Sequence, residues 1–157
     1  CIMGEKGKEM VLPPPAQVGV VVKDLEKAIV YYSENFGLGP FQKMSFVPAQ
    51  HWVKGKPCPI KLNIGMCQWG PLQLELIEPV EGDAPHKWFL AEKGEGVQHL
   101  GFIVDNYDEW MAYFKEKGIG VLMNAETDVE GMGHVRAAYM QSDTVGGTLF
   151  ELIEVKP

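Results

Sequence analysis

The chain contains one segment twice, and that repetition constrains its fold more than any other feature. Gln17-Val18-Gly19-Val20-Val21-Val22 is followed by Lys23-Asp24 and a stretch of helical periodicity ending near Phe36. His99-Leu100-Gly101-Phe102-Ile103-Val104 is followed by Asp105-Asn106 and a second such stretch ending near Lys117. The offset of 82 positions runs without a gap from Gln17 and His99 to Asn35 and Lys117, pairing Gly19 with Gly101 and Glu34 with Glu116. A second correspondence, at offset 76, pairs Leu74-Glu75-Leu76-Ile77-Glu78 with Phe150-Glu151-Leu152-Ile153-Glu154. Two matched pairs in the same order read as a duplicated module with shorter loops in its second copy.

The local patterns fill in the module. Residues 16–23 read as a strand, Asp24 as a helix N-cap, and Leu25, Ala28, Ile29, Tyr32 and Phe36 recur at helical spacing up to Gly37. Strands are expected near 41–47, 59–66 and 72–79, and Pro85 to Lys93 as a short connecting helix. The second copy repeats the order: strand 97–104, helix 107–117, then strands near 120–126, 134–141 and 147–155. The expected fold is α+β: two tandem βαβββ modules (16–80 and 97–155, joined by a helix over 84–94) forming a paired, partly closed mixed sheet with helices outside. A chain of 157 residues suits one domain over 13–157, with residues 1–12 as a flexible arm.

Strand parity then sorts the side chains. Val18, Val20 and Val22 share one face and Gln17, Gly19 and Val21 the other; Leu72, Leu74 and Leu76 oppose Gln73, Glu75 and Ile77. Leu100, Phe102 and Val104 oppose His99, Gly101 and Ile103, while Phe150 and Leu152 oppose Leu149, Glu151 and Ile153. The apolar faces have amphipathic helices as partners. That leaves Gln17, Glu75, His99 and Glu151 turned away from the helices, two of them carboxylates among aliphatic neighbours. An unpaired buried carboxylate is costly, so such groups take a cation or stay solvated. Singly, each residue reads as part of a wet groove; together, at equivalent points of a repeat, they suit an octahedral divalent ion completed by water.

Composition removes some alternatives. A formal charge of −7 disfavours non-specific nucleic-acid binding, and no apolar run approaches the length of a membrane span. Cys1, Cys58 and Cys67 match no disulfide or zinc framework and read as reduced thiols of a cytoplasmic protein.

These residues resemble the vicinal oxygen chelate superfamily, the glyoxalase/bleomycin-resistance/dioxygenase fold, from Ala16 to Val155. The segments that carry the likeness are Gln17-Val18-Gly19, Val22-Lys23-Asp24-Leu25-Glu26-Lys27-Ala28, Gly96-Val97-Gln98-His99-Leu100 and Leu149-Phe150-Glu151-Leu152. The resemblance implies one divalent metal (cobalt, zinc, nickel or manganese) held by Gln17, Glu75, His99 and Glu151, and commonly a homodimer. The segment from Glu75 to Gly96 is most similar to methylmalonyl-CoA epimerases, implying an isomerase that acts on a small-molecule CoA thioester through a metal-stabilised enolate, with Glu151 as the catalytic base. Alternatives within the superfamily are a glyoxalase I-like lyase acting on a thiol hemithioacetal and a non-catalytic binding or resistance protein.

Some positions depart from those patterns. The epimerases supply a second acid/base glutamate from the first module, but no Asp or Glu occurs between Glu34 and Glu75, leaving His51 or Lys61 as substitutes. Where glyoxalase I carries an Arg and an Asn for glutathione, this chain has Val21 and Pro79, and its single arginine is Arg136. Lys54, Lys56 and Lys61 read either as a solvated loop or as contacts for CoA phosphates. His51-Trp52 reads as a cap over the cleft or a surface turn, and Gly131-Met132-Gly133-His134 as a flexible hairpin loop. Tyr31, Tyr32, Tyr113 and Phe114 read as core, and no role falls to Cys67.

Overall fold

A computed structural model describes residues 9–157, so most of the expected arm, including Cys1, lies outside the described residues. The first copy of the module forms β1 (Gln17–Val21), α1 (Leu25–Phe36), β2 (Gln42–Phe46), β5 (Lys61–Trp69) and β6 (Leu72–Glu81), with β3 (Gln50–Val53) and β4 (Lys56–Pro57) inserted after β2. After α2 (Pro85–Lys93), the second copy forms β7 (Gly96–Ile103), α3 (Tyr107–Glu116), β8 (Val121–Val129), β9 (Gly133–Met140) and β10 (Leu149–Lys156). All ten strands join one mixed sheet in the order β2-β5-β6-β1-β7-β10-β9-β8-β3-β4. In each copy the first and last strands are parallel neighbours, β1 with β6 and β7 with β10. The two first strands meet antiparallel at the centre, which relates the copies by an approximate two-fold.

The inserted hairpin is neither a cap nor a surface turn. Strand β3 leaves its own module and pairs with β8 at the far edge of the other, Gln50 opposite Glu126 and Val53 opposite Met123. Only residues 47–49 join β2, at one edge, to β3, near the other. Four peptide steps span no more than about 14 Å, so the sheet curls until its edges nearly meet. Strand β5 also starts later than expected, beyond Pro57 and Pro59, and runs on to a turn at Gly70-Pro71, where Gly70 takes a φ of 59°.

Helices α1 and α3 lie outside the curl. Helix α1 covers Val20, Val22, Leu74, Leu76 and the buried Cys67, while α3 lays Trp110 and Phe114 on Val104, Ala138, Met140 and Leu152. Tyr31 is not core, contrary to expectation: it is 55% exposed and meets Tyr32 and Phe36 edge-on at the surface.

Each helix is tied to its module by a glutamate at equivalent positions. The Glu78 Oε2 accepts the backbone N–H of Leu25 at 2.7 Å, and Glu154 Oε2 accepts that of Tyr107 at 3.3 Å. Both carboxylates thereby meet free N–H groups at a helix start, where negative charge is favoured. Glu154 additionally pairs with Arg136 at 2.7 Å, and Arg136 reaches Asp108 at 2.8 Å.

Candidate metal centre

Strand registers bring the four singled-out residues together in two rows. Gly19 lies beside Glu75 on β6 and beside His99 on β7. Gly101 lies beside Glu151 on β10 and beside Gln17 on β1. Each row therefore has a polar side chain on either side of a glycine, and the two-fold exchanges the rows. Each glycine makes room for its neighbour: a Cβ at Gly19 would overlap the imidazole of His99, and one at Gly101 would come within 3.0 Å of Gln17 Oε1.

Glu75, His99 and Glu151 converge above the glycines, each offering one ligand atom within 4.8 Å of the others. All three are buried, His99 completely. His99 Nε2 lies 3.0 Å from Glu151 Oε2 and 3.9 Å from Glu75 Oε2. His99 Nε2, Glu151 Oε2 and Gln17 Oε1 are all buried with no hydrogen-bond partner among the described residues. Protein ligands sit about 2.1 Å from a transition-metal ion, so two donors to one ion lie at most about 4.2 Å apart. The two separations from His99 fall inside that limit. Orphaned lone pairs of nitrogen and oxygen type, buried beside two carboxylates, fit a divalent cation; this Glu-His-Glu group could hold one.

Neighbouring side chains fix which atoms face inward. Gln17 Nε2 donates to Gln73 Oε1 at 2.9 Å, leaving the Gln17 carbonyl oxygen as the free atom. At His99, Nδ1 lies 3.2 Å from Gln98 Oε1, which can only accept, so Nδ1 carries the hydrogen and Nε2 the lone pair. Gln98 turns inward because β7 bulges there. Gly19 pairs with His99 but Val20 with Val97, so Gln98 is an extra residue between two ladder positions. Gln73 shares its face with Glu75 and was visible from parity; nothing in the local sequence marks the bulge.

The electrostatics suit a site short of positive charge. Burial, opposed by the charge of His99 and reinforced by that of Glu151, pushes Glu75 up to about 7. Burial works against protonated His99, yet the Glu151 and Glu75 carboxylates hold it above the ordinary imidazole value. Burial, then the Glu151 and Glu75 charges, raise the Tyr139 phenol well above its usual range. Tyr139 stands edge-on to His99 with ring centroids 4.8 Å apart.

A cavity of about 330 Å³ opens from this cluster inside the curled sheet. Its walls are mostly aliphatic and methionine side chains from both modules, such as Met44, Leu62, Ile64, Met123 and Val135, and among the described residues no Lys or Arg lines it. Two histidines also line it, and the sequence marked neither as buried. His51, on β3, is 7% exposed, and His86, in the first turn of α2, is 2% exposed with both ring nitrogens unpartnered. The other expected contacts lie elsewhere. Lys54 sits over the Trp88 ring, Lys56 is exposed, and Lys61 lies outside the cavity lining. Met132 reaches the cavity, but His134 belongs to β9 and is clamped between Asp128 and Glu126 at 2.7 and 2.8 Å. Arg136 is committed to its carboxylates on the outer face.

Residues 16–139 match the family described as the Glyoxalase/Bleomycin resistance protein/Dioxygenase superfamily. The chain is 27% identical over 139 residues to the uncharacterized protein YqjC of Bacillus subtilis (strain 168), covering 88% of this chain and 90% of that one. It is 28% identical over 139 residues to the mitochondrial methylmalonyl-CoA epimerase of Bos taurus, covering 86% of this chain and 70% of the relative. A solved structure of methylmalonyl-CoA epimerase in complex with methylmalonyl-CoA and NH4+ superposes with a TM-score of 0.68 at 25% identity, covering 92% of this chain and 95% of that one.

Proposed function

This chain belongs to the glyoxalase/bleomycin resistance protein/dioxygenase superfamily, and we propose that within it the protein is a metal-dependent isomerase that epimerises the carbon α to a thioester, with a methylmalonyl-CoA-like substrate. The observation that carries this reading is the buried Glu75–His99–Glu151 cluster, with its unpartnered lone pairs, at a cavity whose walls are otherwise largely apolar. Similarity to methylmalonyl-CoA epimerases supports the choice of substrate class.

A divalent ion held by Gln17, Glu75, His99 and Glu151 would supply positive charge against the negative charge that develops on a thioester oxygen as the α carbon is deprotonated. The protein does the rest. Glu151 is the base, a carboxylate of the cluster that also lines the cavity. Gln73 and Gln98 hold Gln17 and His99 in the orientations that face the reacting group. The apolar walls keep water from the carbanion and leave the apolar part of the substrate to be recognised by contact.

Glyoxalase-like lyase chemistry on a glutathione adduct ranks second. Val21 is fully buried, Pro79 does not line the cavity, and among the described residues no Lys or Arg does, so glutathione carboxylates find no grip there. The test is deuterium wash-in. Metal-loaded protein incubated with methylmalonyl-CoA in heavy water should place label at C2, with about one metal ion per chain by elemental analysis. Absence of exchange in metal-loaded protein overturns the epimerase reading, and a Glu151→Gln protein of full activity overturns the assigned base.

A further inference from the structure

Inverting a carbon α to a carbonyl takes a proton from one face and returns one to the other, whereas a single base returns its proton to the face it came from. Resting on the proposed epimerisation, we propose that His51 is the second proton-transfer residue, acting on the reacting carbon from the β3 wall of the cavity while Glu151 acts from β10.

Elimination and geometry lead to the same residue. Among the described residues, five side chains lining the cavity can exchange a proton: Glu75, Glu151, His51, His86 and Tyr139. Both carboxylates belong to the Glu-His-Glu cluster, and only Glu151 has been given the role of base. Tyr139, held well above its usual range by burial and the neighbouring carboxylates, can donate but not accept. Nothing orients His86: both of its ring nitrogens are buried without a hydrogen-bond partner among the described residues, so no acceptor fixes which nitrogen faces the cavity. His51 differs from all of these. Its Nδ1 lies 2.8 Å from the carbonyl oxygen of Cys58, an acceptor, so Nδ1 carries hydrogen and Nε2 is the nitrogen left for the cavity. The backbone N–H of Cys58 donates in turn to the His51 carbonyl at 2.9 Å, so the residue is fixed to the β4 side of the hairpin by two bonds. Burial then lowers its pKa, opposed by the Cys58 bond, which favours ready loss of a proton once gained.

The balance closes without a co-reactant. In one direction the Glu151 carboxylate takes the α proton, the C–H electron pair passes into the enolate, and the His51 imidazolium delivers its Nε2 proton to the other face. In the reverse direction neutral His51 takes the proton and the Glu151 carboxylic acid returns one. Solvent resets both groups between turnovers.

The test uses the full metal-loaded chain with each epimer of methylmalonyl-CoA separately in heavy water. His51→Asn is the informative variant, because its amide N–H can still donate to the Cys58 carbonyl while the Nε2 function is lost; His51→Gln is the control for side-chain length. Wild type should exchange and invert both epimers. Both variants should lose inversion by about 10²–10⁴-fold, yet still wash deuterium into one epimer without inverting it, and Glu151→Gln should lose exchange of that same epimer. Metal content and thermal midpoint of His51→Asn should match wild type. Inversion at the wild-type rate in either variant, or loss of exchange for both epimers with metal retained, overturns the role of His51. Failure of wild type to exchange either epimer overturns the epimerase reading instead.

Discussion

Gly19 lies beneath the imidazole of His99: the two are cross-strand partners on β1 and β7, and the ring occupies the space where a side chain at residue 19 would begin. The same relation recurs between Gly101 and Gln17, less tightly. A buried histidine on a central strand needs a gap beside it, and the duplicated module supplies that gap twice.

Substituting these glycines should therefore separate the two rows. Gly19→Ala must displace the His99 ring, costing about 1–3 kcal/mol as overpacking does and most of the metal affinity. Gly101→Ala would place its Cβ 3.0 Å from Gln17, so that side chain must shift slightly, and the variant should keep its fold with a smaller loss of metal. Chemical denaturation and elemental analysis read both effects, and metal-replete Gly19→Ala would contradict the arrangement.

Gln98 should matter although it does not line the cavity. It holds the His99 tautomer that leaves Nε2 free, and orienting partners of metal-binding histidines are typically worth about 10–100-fold in metal affinity. Gln98→Leu should weaken metal binding by that factor in isothermal titration, while Gln98→Glu, which keeps the acceptor, should retain it.

The outer-face glutamates should affect stability and leave the site alone. Glu78→Gln weakens a charged bond to the start of α1 and should cost about 1–2 kcal/mol. Glu154→Gln also breaks the pair with Arg136 and should cost about 3 kcal/mol. Urea titration checks both, and neither variant should change metal stoichiometry.

His86 should give the protein an acid-sensitive window. Burial, then the charges of His99 and His51, push it down to about 3 in the folded chain, against an ordinary 6.5 when unfolded. A depressed folded value means the unfolded state binds the proton first. The stability that neutral His86 contributes is complete above pH 6.5 and is lost as pH falls from there toward 3, at up to about 1.4 kcal/mol per pH unit. Thermal midpoints across that range should fall less steeply for His86→Leu than for wild type, and equal slopes would exclude this origin.

The repeat at offset 82, the two Glu-containing strands and the parity of Gln17, Glu75, His99 and Glu151 were legible because a strand alternates faces by backbone geometry alone. The Glu-Leu-Ile-Glu run shows how far that goes. Residues three apart face opposite ways, so Glu75 points into the cavity and Glu78 out to α1, as Glu151 and Glu154 do in the second copy. The local sequence offered the second glutamate of each pair no visible partner, because Leu25 N–H lies 53 positions away and Tyr107 N–H 47.

The sequence by itself determined that the fold is duplicated, which face each strand turns inward, and which four polar residues stand at equivalent points. Tertiary structure alone decided that β3 crosses to the other module, that His51 and His86 are buried at the cavity, that Gln98 bulges toward His99, and that Gly19 lies under the ring. The difference is physical. Side-chain alternation is a property of two neighbouring peptide units, whereas pairing partners and bulges are set by whichever long-range register buries the most apolar surface and leaves the fewest unpaired backbone groups. The glycine between His99 and Glu75 belongs to both kinds: its place in the repeat was legible from the start, and its purpose emerged only once β7 lay beside it.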